Sequence, residues 1–270
     1  MNQTEVRLRS LKHLIIDLDG VLYRGKEAIA GADDLIGFLR ERHIRFLLAT
    51  NNSTKTPEQY VERLDKMCIR VHADELLTSA QATAGYLAGI APPGTRVFVV
   101  GMDGLRTALE EAGFALVEEE AEYVVAGMDF AVCFERLVQA ALLIRAGARF
   151  LGTNPDRTFP SERGIIPGAG SLLAFLETGT GVTPTVIGKP GTAMIEQALA
   201  RLGAQRGTAA ILGDRLDTDI LAGKRAGLVT LLVLSGVTDE AQLPSSEIQP
   251  DLVFRDVRHL HEVWRAALDG

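Results

Sequence analysis

Residues 14–20 read LIIDLDG, in which an apolar stretch runs directly into two carboxylates, Asp17 and Asp19. The stretch predicts a strand that is buried on both faces, and Gly20 predicts a turn directly after it. Burying two like charges close together costs free energy unless a cation neutralises them. The segment therefore predicts a metal and a nucleophile at the carboxyl end of the strand. The same string is also compatible with an apolar strand that ends in an ordinary polar turn.

Strands and helices alternate outward from this segment. Arg45–Thr50, Ala209–Leu212 and Val229–Leu234 have the apolar character of short strands, and helical patterns separate them. Thr56 and Gln59 form a capping-box pattern, which predicts that a helix begins there. The alternation predicts the α/β class, with a Rossmann-like, doubly wound parallel-sheet core.

The middle of the chain repeats this alternation on its own. Its strand patterns are Val97–Val100, Tyr123–Ala126 and Arg149–Gly152. The strands that flank this segment carry the chemically distinctive residues, and the segment itself does not. We therefore predict a core formed by residues 1–79 and 184–270, with an inserted second α/β domain formed by residues 80–183.

The composition is that of an ordinary globular protein. The chain has 270 residues, 47% of them hydrophobic and 23% charged, and its net charge of −7 disfavours nucleic acid and anionic membranes as partners. No apolar stretch at the amino terminus resembles a signal peptide, and no window is long enough to span a membrane, so we expect a cytoplasmic protein. Cys68 and Cys133 lie in apolar helical patterns, and we expect both in the core.

Polar residues also follow three other predicted strands. The predicted strand in the segment RFLLATNNS ends in Thr50 and is followed by Asn51, and the strand in TVIGKP is followed by Lys189. The strand in AAILGDRLDTDI is followed by Asp214, with Asp219 five residues later. Each has an ordinary alternative: a turn, a surface lysine or helix-capping acids. The carboxyl ends of parallel strands share one edge of the sheet, so the four strand ends together favour a single site.

The residue types in this set suit phosphoryl transfer. A carboxylate can attack a phosphate dianion only if a cation offsets the charge, and oxygen ligands of this kind suit Mg²⁺. An ammonium and a hydroxyl can hold the phosphoryl oxygens, and a second acid can protonate the leaving group. The sequence lacks the ligand spacing of an EF-hand, the glycine pattern of a P-loop and a His/Cys cluster for zinc.

The ordered segments DLDGVLYRG, ATNNS, GKP and GDRLDTDI resemble the haloacid dehalogenase (HAD) superfamily, most closely its NagD-like or 4-nitrophenylphosphatase branch. The resemblance implies Asp17 as nucleophile and Asp19 as general acid and base. It implies that Asp17, the Asp19 backbone carbonyl and Asp214 ligate Mg²⁺, with Asp219 behind the metal. It implies that Thr50, Asn51 and Lys189 bind the phosphoryl group.

In that branch the inserted domain is a large α/β cap (type C2) that supplies substrate contacts. The resemblance makes the loop from Asn154 through Asp156 to Phe159 a candidate for leaving-group recognition, although Asn-Pro-Asp is also typical of a surface turn. Thr158 and Phe159 stand where animal pyridoxal phosphate phosphatases carry an aromatic–His pair, which disfavours that substrate. Related proteins often dimerise through the cap, so a homodimer is a further expectation.

These observations predict a Mg²⁺-dependent phosphatase that hydrolyses small phosphorylated metabolites through an aspartyl phosphate on Asp17. Two alternatives remain at this point. A phosphotransferase would use the same residues with another acceptor. A non-catalytic phosphometabolite-binding regulator would keep the ligand contacts but would have no need of a nucleophile.

Overall fold

The structure is a computed structural model that describes residues 3–161 and 163–270. The chain divides into two compact units. The first unit comprises the described part of Met1–Thr50 together with Tyr60–Leu77 and Ile195–Gly270. The second unit comprises Asn51–Gln59 and the described part of Thr78–Met194.

The strands follow one another along the chain as short segments. They are β1 (His13–Ile16), β2 (Tyr23–Arg24), β3 (Glu27–Ala28), β4 (Arg45–Thr50), β5 (Leu76–Thr78), β6 (Arg96–Val100), β7 (Ala115–Leu116), β8 (Tyr123–Ala126), β9 (Arg149–Gly152), β10 (Thr158–Ser161), β11 (Gly164–Pro167), β12 (Thr185–Val186), β13 (Ala209–Gly213), β14 (Val229–Val233) and β15 (Leu252–Phe254).

Helices lie between most of these strands. They are α1 (Gln3–Ser10), α2 (Ala32–Glu41), α3 (Pro57–Asp65), α4 (Ser79–Ala88), α5 (Asp103–Glu111), α6 (Phe134–Arg145), α7 (Ala169–Thr180), α8 (Ala193–Leu202), α9 (Leu221–Ala226) and α10 (Val257–Asp269). A π-helical turn, Leu216–Ile220, leads into α9. Within the described residues, none of the helices combines the length and the apolar character that a membrane span requires.

The sheet of the first unit has the strand order β15-β14-β13-β1-β4-β5. β1 lies in its middle and pairs in parallel with both β13 and β4, and Ile16 stands opposite Leu212 and Leu48. Because parallel strands in register end at the same edge, the residues that follow β1, β4 and β13 are brought to one edge of this sheet.

Helix α10 shows how the first unit buries its apolar surface. Val257, Leu260, Trp264 and Ala267 recur at three- and four-residue spacing, and all four side chains are buried. The helix begins at Asp256, whose Oδ1 accepts a hydrogen bond from the His259 N–H at 2.8 Å. Filling the core with these side chains fixes the sheet that carries the strand-end residues.

The second unit is built on its own parallel sheet, with the order β12-β9-β8-β6-β7. Apolar residues of β6 and β8 pack against α6 and α7 in one cluster and against α4 and α5 in another. Strands β10 and β11 form a separate antiparallel hairpin. Both units therefore combine a parallel sheet with helices, and the predicted α/β fold class is confirmed.

One local sequence signal agrees with this structure, and the expectation for the cysteines does not. The capping box is present, since the Thr56 N–H donates to Gln59 Oε1 at 3.1 Å and the Gln59 N–H donates to Thr56 Oγ1 at 3.4 Å. The expectation for the cysteines was wrong, because both are exposed. Cys68 lies beyond the end of α3 with φ 62°, and Cys133 precedes the first residue of α6, so neither side chain belongs to a buried helix face.

Candidate active site

Three carboxylates of the first unit meet at the carboxyl edge of its sheet. One oxygen each of Asp17, Asp214 and Asp219 lies within 4.8 Å of the other two. Asp17 is half-buried, whereas Asp214 and Asp219 are only 2% and 1% exposed. Carboxylates this close and this buried repel one another strongly in the absence of a cation. The group thus has the composition of a site for a hard divalent cation.

The pairing of β1 with β13 places two of these carboxylates. Asp17 follows β1 directly, and its N–H donates to the carbonyl oxygen of Leu212 in β13 at 2.9 Å. Asp214 follows the end of the same β13. Its Oδ2 accepts a hydrogen bond from the Val237 N–H at 2.6 Å, and its carbonyl oxygen accepts from the Thr238 N–H at 3.1 Å. Backbone contacts therefore fix both acids in place.

Two glycines leave room for the Asp214 carboxylate. A Cβ atom at Gly20 or at Gly236 would overlap the carboxylate of Asp214. Gly20 also has φ +80°, a conformation that residues with a side chain rarely adopt. The glycine of the Asp-x-Asp-Gly segment thus serves both the turn and the packing of a third acid.

Asp219 is held by the π-helical turn that follows β13. Its Oδ2 accepts hydrogen bonds from the Arg215 N–H at 3.3 Å and from the Thr218 hydroxyl at 3.4 Å. A Cβ atom at Gly213 would overlap the Asp219 side chain. π-Helical turns recur at functional sites. Here the turn directs Asp219 toward Asp17, so that it lies beside the other acids.

Asp19 is bound by a tyrosine from the following hairpin. The hydroxyl of Tyr23, the first residue of β2, donates to Asp19 Oδ2 at 3.0 Å. Tyr23 is fully buried. Burial first, and then the nearby Asp19 carboxylate, raise the pKa of Tyr23 well above its ordinary value, so the phenol keeps its proton and remains a donor.

Thr50 and Tyr60 lie near the same carboxylates. Thr50 is the buried last residue of β4, and Tyr60 is a fully buried residue of α3. Burial and then the Asp19 carboxylate raise the pKa of Tyr60, and the Arg63 guanidinium and the Thr50 hydroxyl act in the opposite direction. Among the described residues, however, no group makes a hydrogen bond of normal geometry to the Tyr60 hydroxyl.

The second unit contains the other predicted phosphate-binding residues, Asn51 and Lys189. The Asn51 amide donates from Nδ2 to the Lys189 carbonyl oxygen at 2.8 Å, and its Oδ1 accepts from the Lys189 N–H at 2.9 Å. Asn51 Nδ2 also lies 3.2 and 3.3 Å from the two carboxylate oxygens of Asp156. Asn51 thus binds the backbone of the buried Lys189 through its side chain.

The loop residues predicted to contact a leaving group differ in their own contacts: Asn154 makes hydrogen bonds, and Phe159 packs against another ring. Asn154 is buried, and its Nδ2 donates to the Asn51 carbonyl oxygen at 2.7 Å, while its Oδ1 accepts from the Asp156 N–H at 3.1 Å. The Phe159 ring instead packs edge-on against Phe130, with ring centroids 5.5 Å apart. Asn154 and Asp156 therefore belong to the hydrogen-bonded group around Asn51, and Phe159 does not.

Sequence reasoning missed the aromatic surroundings of Asp19. Tyr23 follows Asp19 by four residues in the quoted segment, which could have suggested a contact across the turn. For Tyr60 the sequence predicts only burial, because its four-residue spacing with Leu64 is typical of a buried helix face.

Two protein-family models and known relatives match this chain. Residues 14–115 match the family model described as haloacid dehalogenase-like hydrolase, and residues 186–260 match a related HAD-hydrolase-like model. An acid sugar phosphatase of Staphylococcus epidermidis is 43% identical over 244 residues, which cover 90% of this chain and 94% of that protein.

The chain belongs to the haloacid dehalogenase-like hydrolases.

Solved structures of this HAD family have the same fold. The 4-nitrophenylphosphatase of Thermotoga maritima superposes with a TM-score of 0.91 at 34% identity, covering 95% of this chain and 98% of that one. A glycerol phosphate phosphatase of Mycobacterium tuberculosis in complex with magnesium gives 0.88 at 34% identity, covering 96% and 79%. The predicted family and its NagD-like branch are confirmed, and so is the prediction of a HAD-type hydrolase.

Proposed function

We propose that this protein is a Mg²⁺-dependent hydrolase of small phosphomonoesters that forms a phosphoryl intermediate on Asp17. The observation that carries the proposal is the group of three carboxylates, Asp17, Asp214 and Asp219, at the sheet edge of a HAD-like chain. The phosphatase names of its relatives support the same reaction class.

The donor set fits Mg²⁺. It consists of carboxylate oxygens from residues that follow β1 and β13 and from the π-helical turn, with glycines where a side chain would displace Asp214. Asp17 and Asp214 would hold the ion together with the Asp19 backbone carbonyl, and Asp219 would lie next to it. When bound, the ion offsets the negative charge of the carboxylates and of the phosphoryl group.

The first step transfers the phosphoryl group to the protein. A carboxylate oxygen of Asp17 forms a bond to phosphorus while the bond from phosphorus to the ester oxygen breaks. The protonated carboxyl of Asp19 gives its proton to the ester oxygen, which leaves as an alcohol.

The second step returns Asp17 to its starting state. A water molecule attacks phosphorus, the acyl phosphate bond breaks, and the Asp19 carboxylate takes the proton of the water. Inorganic phosphate is released, Asp17 is again a carboxylate, and Asp19 is again protonated. Atoms and protons therefore balance over the two steps.

The phosphoryl oxygens require donors, and we propose the Thr50 hydroxyl and the Lys189 ammonium for this role. Because the Asn51 amide is engaged with the Lys189 backbone, we propose that Asn51 acts by fixing that lysine. For the same reason we propose that the buried Asn154 supports Asn51. Asp156 also accepts from Asn51, but it is only partly buried, so we propose it together with Phe159 as a candidate for leaving-group contacts.

The names of the relatives support a proposal for the substrate class, because the esters they name (sugar phosphates, glycerol phosphate and 4-nitrophenyl phosphate) are small. We propose a small phosphorylated metabolite of the sugar or polyol type. The cytoplasmic location, the homodimer and the lack of nucleic-acid or membrane partners stay predictions.

The direct test is phosphate release by the purified protein from a panel of phosphomonoesters, with Mg²⁺ and with a chelator. The panel contains sugar phosphates, glycerol phosphate, phosphoglycolate, nucleoside monophosphates, pyridoxal phosphate and 4-nitrophenyl phosphate. We expect release that requires Mg²⁺ and is fastest with a sugar or glycerol ester. Release that continues unchanged in chelator would contradict the proposed metal, and release from no ester would contradict the proposed reaction.

The matched variants are Asp17→Asn and Asp217→Asn, which make the same chemical change. Asp217 pairs with Arg215 outside the carboxylate group, at 2.9 Å. We expect Asp17→Asn to lower the rate about 10³-fold or more and Asp217→Asn to leave it within about 3-fold. Equal losses in the two variants would contradict the role of Asp17.

A further inference from the structure

Asp19 is tied to the hairpin that follows it by both backbone and side-chain contacts. A backbone bridge joins Asp19 to Tyr23, and the Gly20 N–H donates to the Tyr23 carbonyl oxygen at 2.8 Å. The Tyr23 phenol adds a side-chain contact by donating a hydrogen bond to Asp19 Oδ2. We propose that Tyr23 is a positioning residue that sets the orientation of the Asp19 carboxyl for proton transfer. This inference rests on the acid and base role of Asp19 in the proposed function.

The tyrosine is itself held in place. Its ring is fully buried, and the Arg63 guanidinium lies over it at 4.4 Å from the ring centroid. Arg63 Nη2 also donates to the Gly25 carbonyl oxygen at 2.6 Å, in the turn between β2 and β3. One arginine of α3 therefore fixes both the ring of Tyr23 and the tip of the hairpin.

The other side of the hairpin is also attached. The Arg24 guanidinium donates to the Ser235 carbonyl oxygen, and the Ser235 hydroxyl donates to the Gly20 carbonyl oxygen at 2.7 Å. With contacts on both sides, the phenol has little freedom to leave the carboxylate. A donor fixed in this way restricts rotation of the Asp19 carboxyl group more than a solvent molecule would.

The chemical reason for such a donor lies in the leaving group. Asp19 has to present its proton to the ester oxygen in the first step and to accept a proton from water in the second. In this proposal Tyr23 transfers no proton in either step, and its hydroxyl serves only as a hydrogen-bond donor to Oδ2. An ester with a poor leaving group depends strongly on this proton transfer, whereas 4-nitrophenolate leaves readily without it.

The test is Tyr23→Phe, which keeps the ring under Arg63 and removes only the hydroxyl. The values of kcat/KM are measured for phosphate esters whose leaving groups differ in pKa, from 4-nitrophenyl phosphate through phenyl phosphate to glycerol phosphate. We expect a loss of about 10-fold for glycerol phosphate and less than about 3-fold for 4-nitrophenyl phosphate. The dependence of log kcat/KM on leaving-group pKa becomes steeper, which loss of folded protein alone cannot produce.

Tyr60→Phe is the matched control. Tyr60 is buried near the same carboxylate, but its hydroxyl makes no hydrogen bond to Asp19. We expect the leaving-group dependence of this variant to equal that of the unaltered protein. Equal steepening in Tyr23→Phe and Tyr60→Phe, or none in Tyr23→Phe, would overturn the inference.

A second variant covers the case in which Tyr23→Phe does not fold. Arg63→Met removes the clamp over the ring from a partly exposed position, and it should steepen the same dependence in the same direction. No steepening in a folded Arg63→Met protein would then overturn the inference. Other results would contradict the proposed function itself: phosphate release by the unaltered protein that does not require Mg²⁺, or an Asp19→Asn variant that is not strongly slowed.

Discussion

The side-chain amide of Asn51 binds both backbone polar groups of Lys189, donating at 2.8 Å and accepting at 2.9 Å. Because Lys189 is buried, its backbone polar groups need protein partners. The residue after β4 thus fixes the backbone of the lysine after β12. A fixed backbone restricts the positions that the Lys189 ammonium can take, and such positioning of a group that contacts the substrate favours catalysis.

Asn51→Asp should disrupt this anchor. The change replaces the Nδ2 donor with a carboxylate oxygen, which would face the Lys189 carbonyl oxygen and the Asp156 carboxylate. We expect a loss of about 2–4 kcal/mol of unfolding free energy and a raised KM. Denaturant unfolding and steady-state kinetics measure the two effects.

Asn52→Asp is the control for that prediction. Asn52 Oδ1 accepts from the Thr54 N–H at 2.9 Å and from the Thr54 hydroxyl at 2.7 Å, and an aspartate can accept the same two bonds. Stability should therefore change by less than about 1 kcal/mol. Similar losses at both positions would show that added charge, rather than the lost donor, is responsible.

Asp214→Asn should affect the metal-free and metal-bound protein in opposite ways. Without metal, removing one of three close carboxylates relieves repulsion, so the melting temperature of the metal-free protein should rise. Binding of Mg²⁺ raises the melting temperature of the unaltered protein, and this increment should shrink in the variant. Thermal unfolding with Mg²⁺ and with chelator measures both. A variant that keeps the full increment would contradict a metal at this site.

Gly20→Ala and Gly25→Ala separate backbone strain from packing at the metal site. Both glycines have positive φ, +80° and +56°, so both substitutions share a conformational cost of about 1 kcal/mol. Only a Cβ at Gly20 overlaps the Asp214 carboxylate, because nothing lies within 4 Å of a Cβ at Gly25. We expect Gly20→Ala alone to weaken Mg²⁺ binding, measured by calorimetry. Equal weakening in both variants would assign the effect to strain.

Asp251 gives a stability prediction that depends on pH. Burial by itself raises its pKa, but hydrogen bonds from Lys224 and Thr230 outweigh burial and hold the pKa below the ordinary value of 3.8. The contribution of the Asp251 carboxylate to the free energy of unfolding is therefore complete above its pKa in the unfolded chain. It is lost as the pH falls through the lower pKa in the folded protein. Relative to Asp251→Asn, the unaltered protein should be more stable by about 1–3 kcal/mol at neutral pH.

Unfolding measured at several pH values tests this sign. The difference between the two proteins should stay constant from neutral pH to about pH 5 and shrink below the ordinary carboxyl pKa. A difference that grows as the pH falls would contradict it. Asp269→Asn is the comparison, since Asp269 pairs with Arg42 at an exposed position and should show little effect.

Much of the fold and of the carboxylate group could be predicted because the deciding interactions are local or topological. Strand β4 begins and ends where its apolar run predicts, at Arg45–Thr50. Asp17 and Asp214 could be predicted to meet because residues that follow parallel strands share a sheet edge. That prediction requires no knowledge of side-chain rotamers.

The rest depends on contacts that no local pattern encodes. Asn51 resembles a turn residue, and its partner Lys189 lies 138 positions away. Tyr23 resembles an ordinary core aromatic until the turn at Gly20 brings its hydroxyl to Asp19. Cys133 sits in an apolar pattern, yet it is exposed because the helix begins one residue later.

The central claim is that Asp17 carries the phosphoryl group, and rapid mixing of Asp19→Asn with 4-nitrophenyl phosphate and Mg²⁺ tests it most directly. The good leaving group does not need the acid, whereas the second step needs the base, so the intermediate should accumulate. We predict a burst of 4-nitrophenolate equal to the enzyme concentration, with one phosphoryl group found by mass spectrometry on the peptide that contains Asp17. Turnover without a burst and with that peptide unmodified, or a phosphoryl group on another residue, would contradict the account.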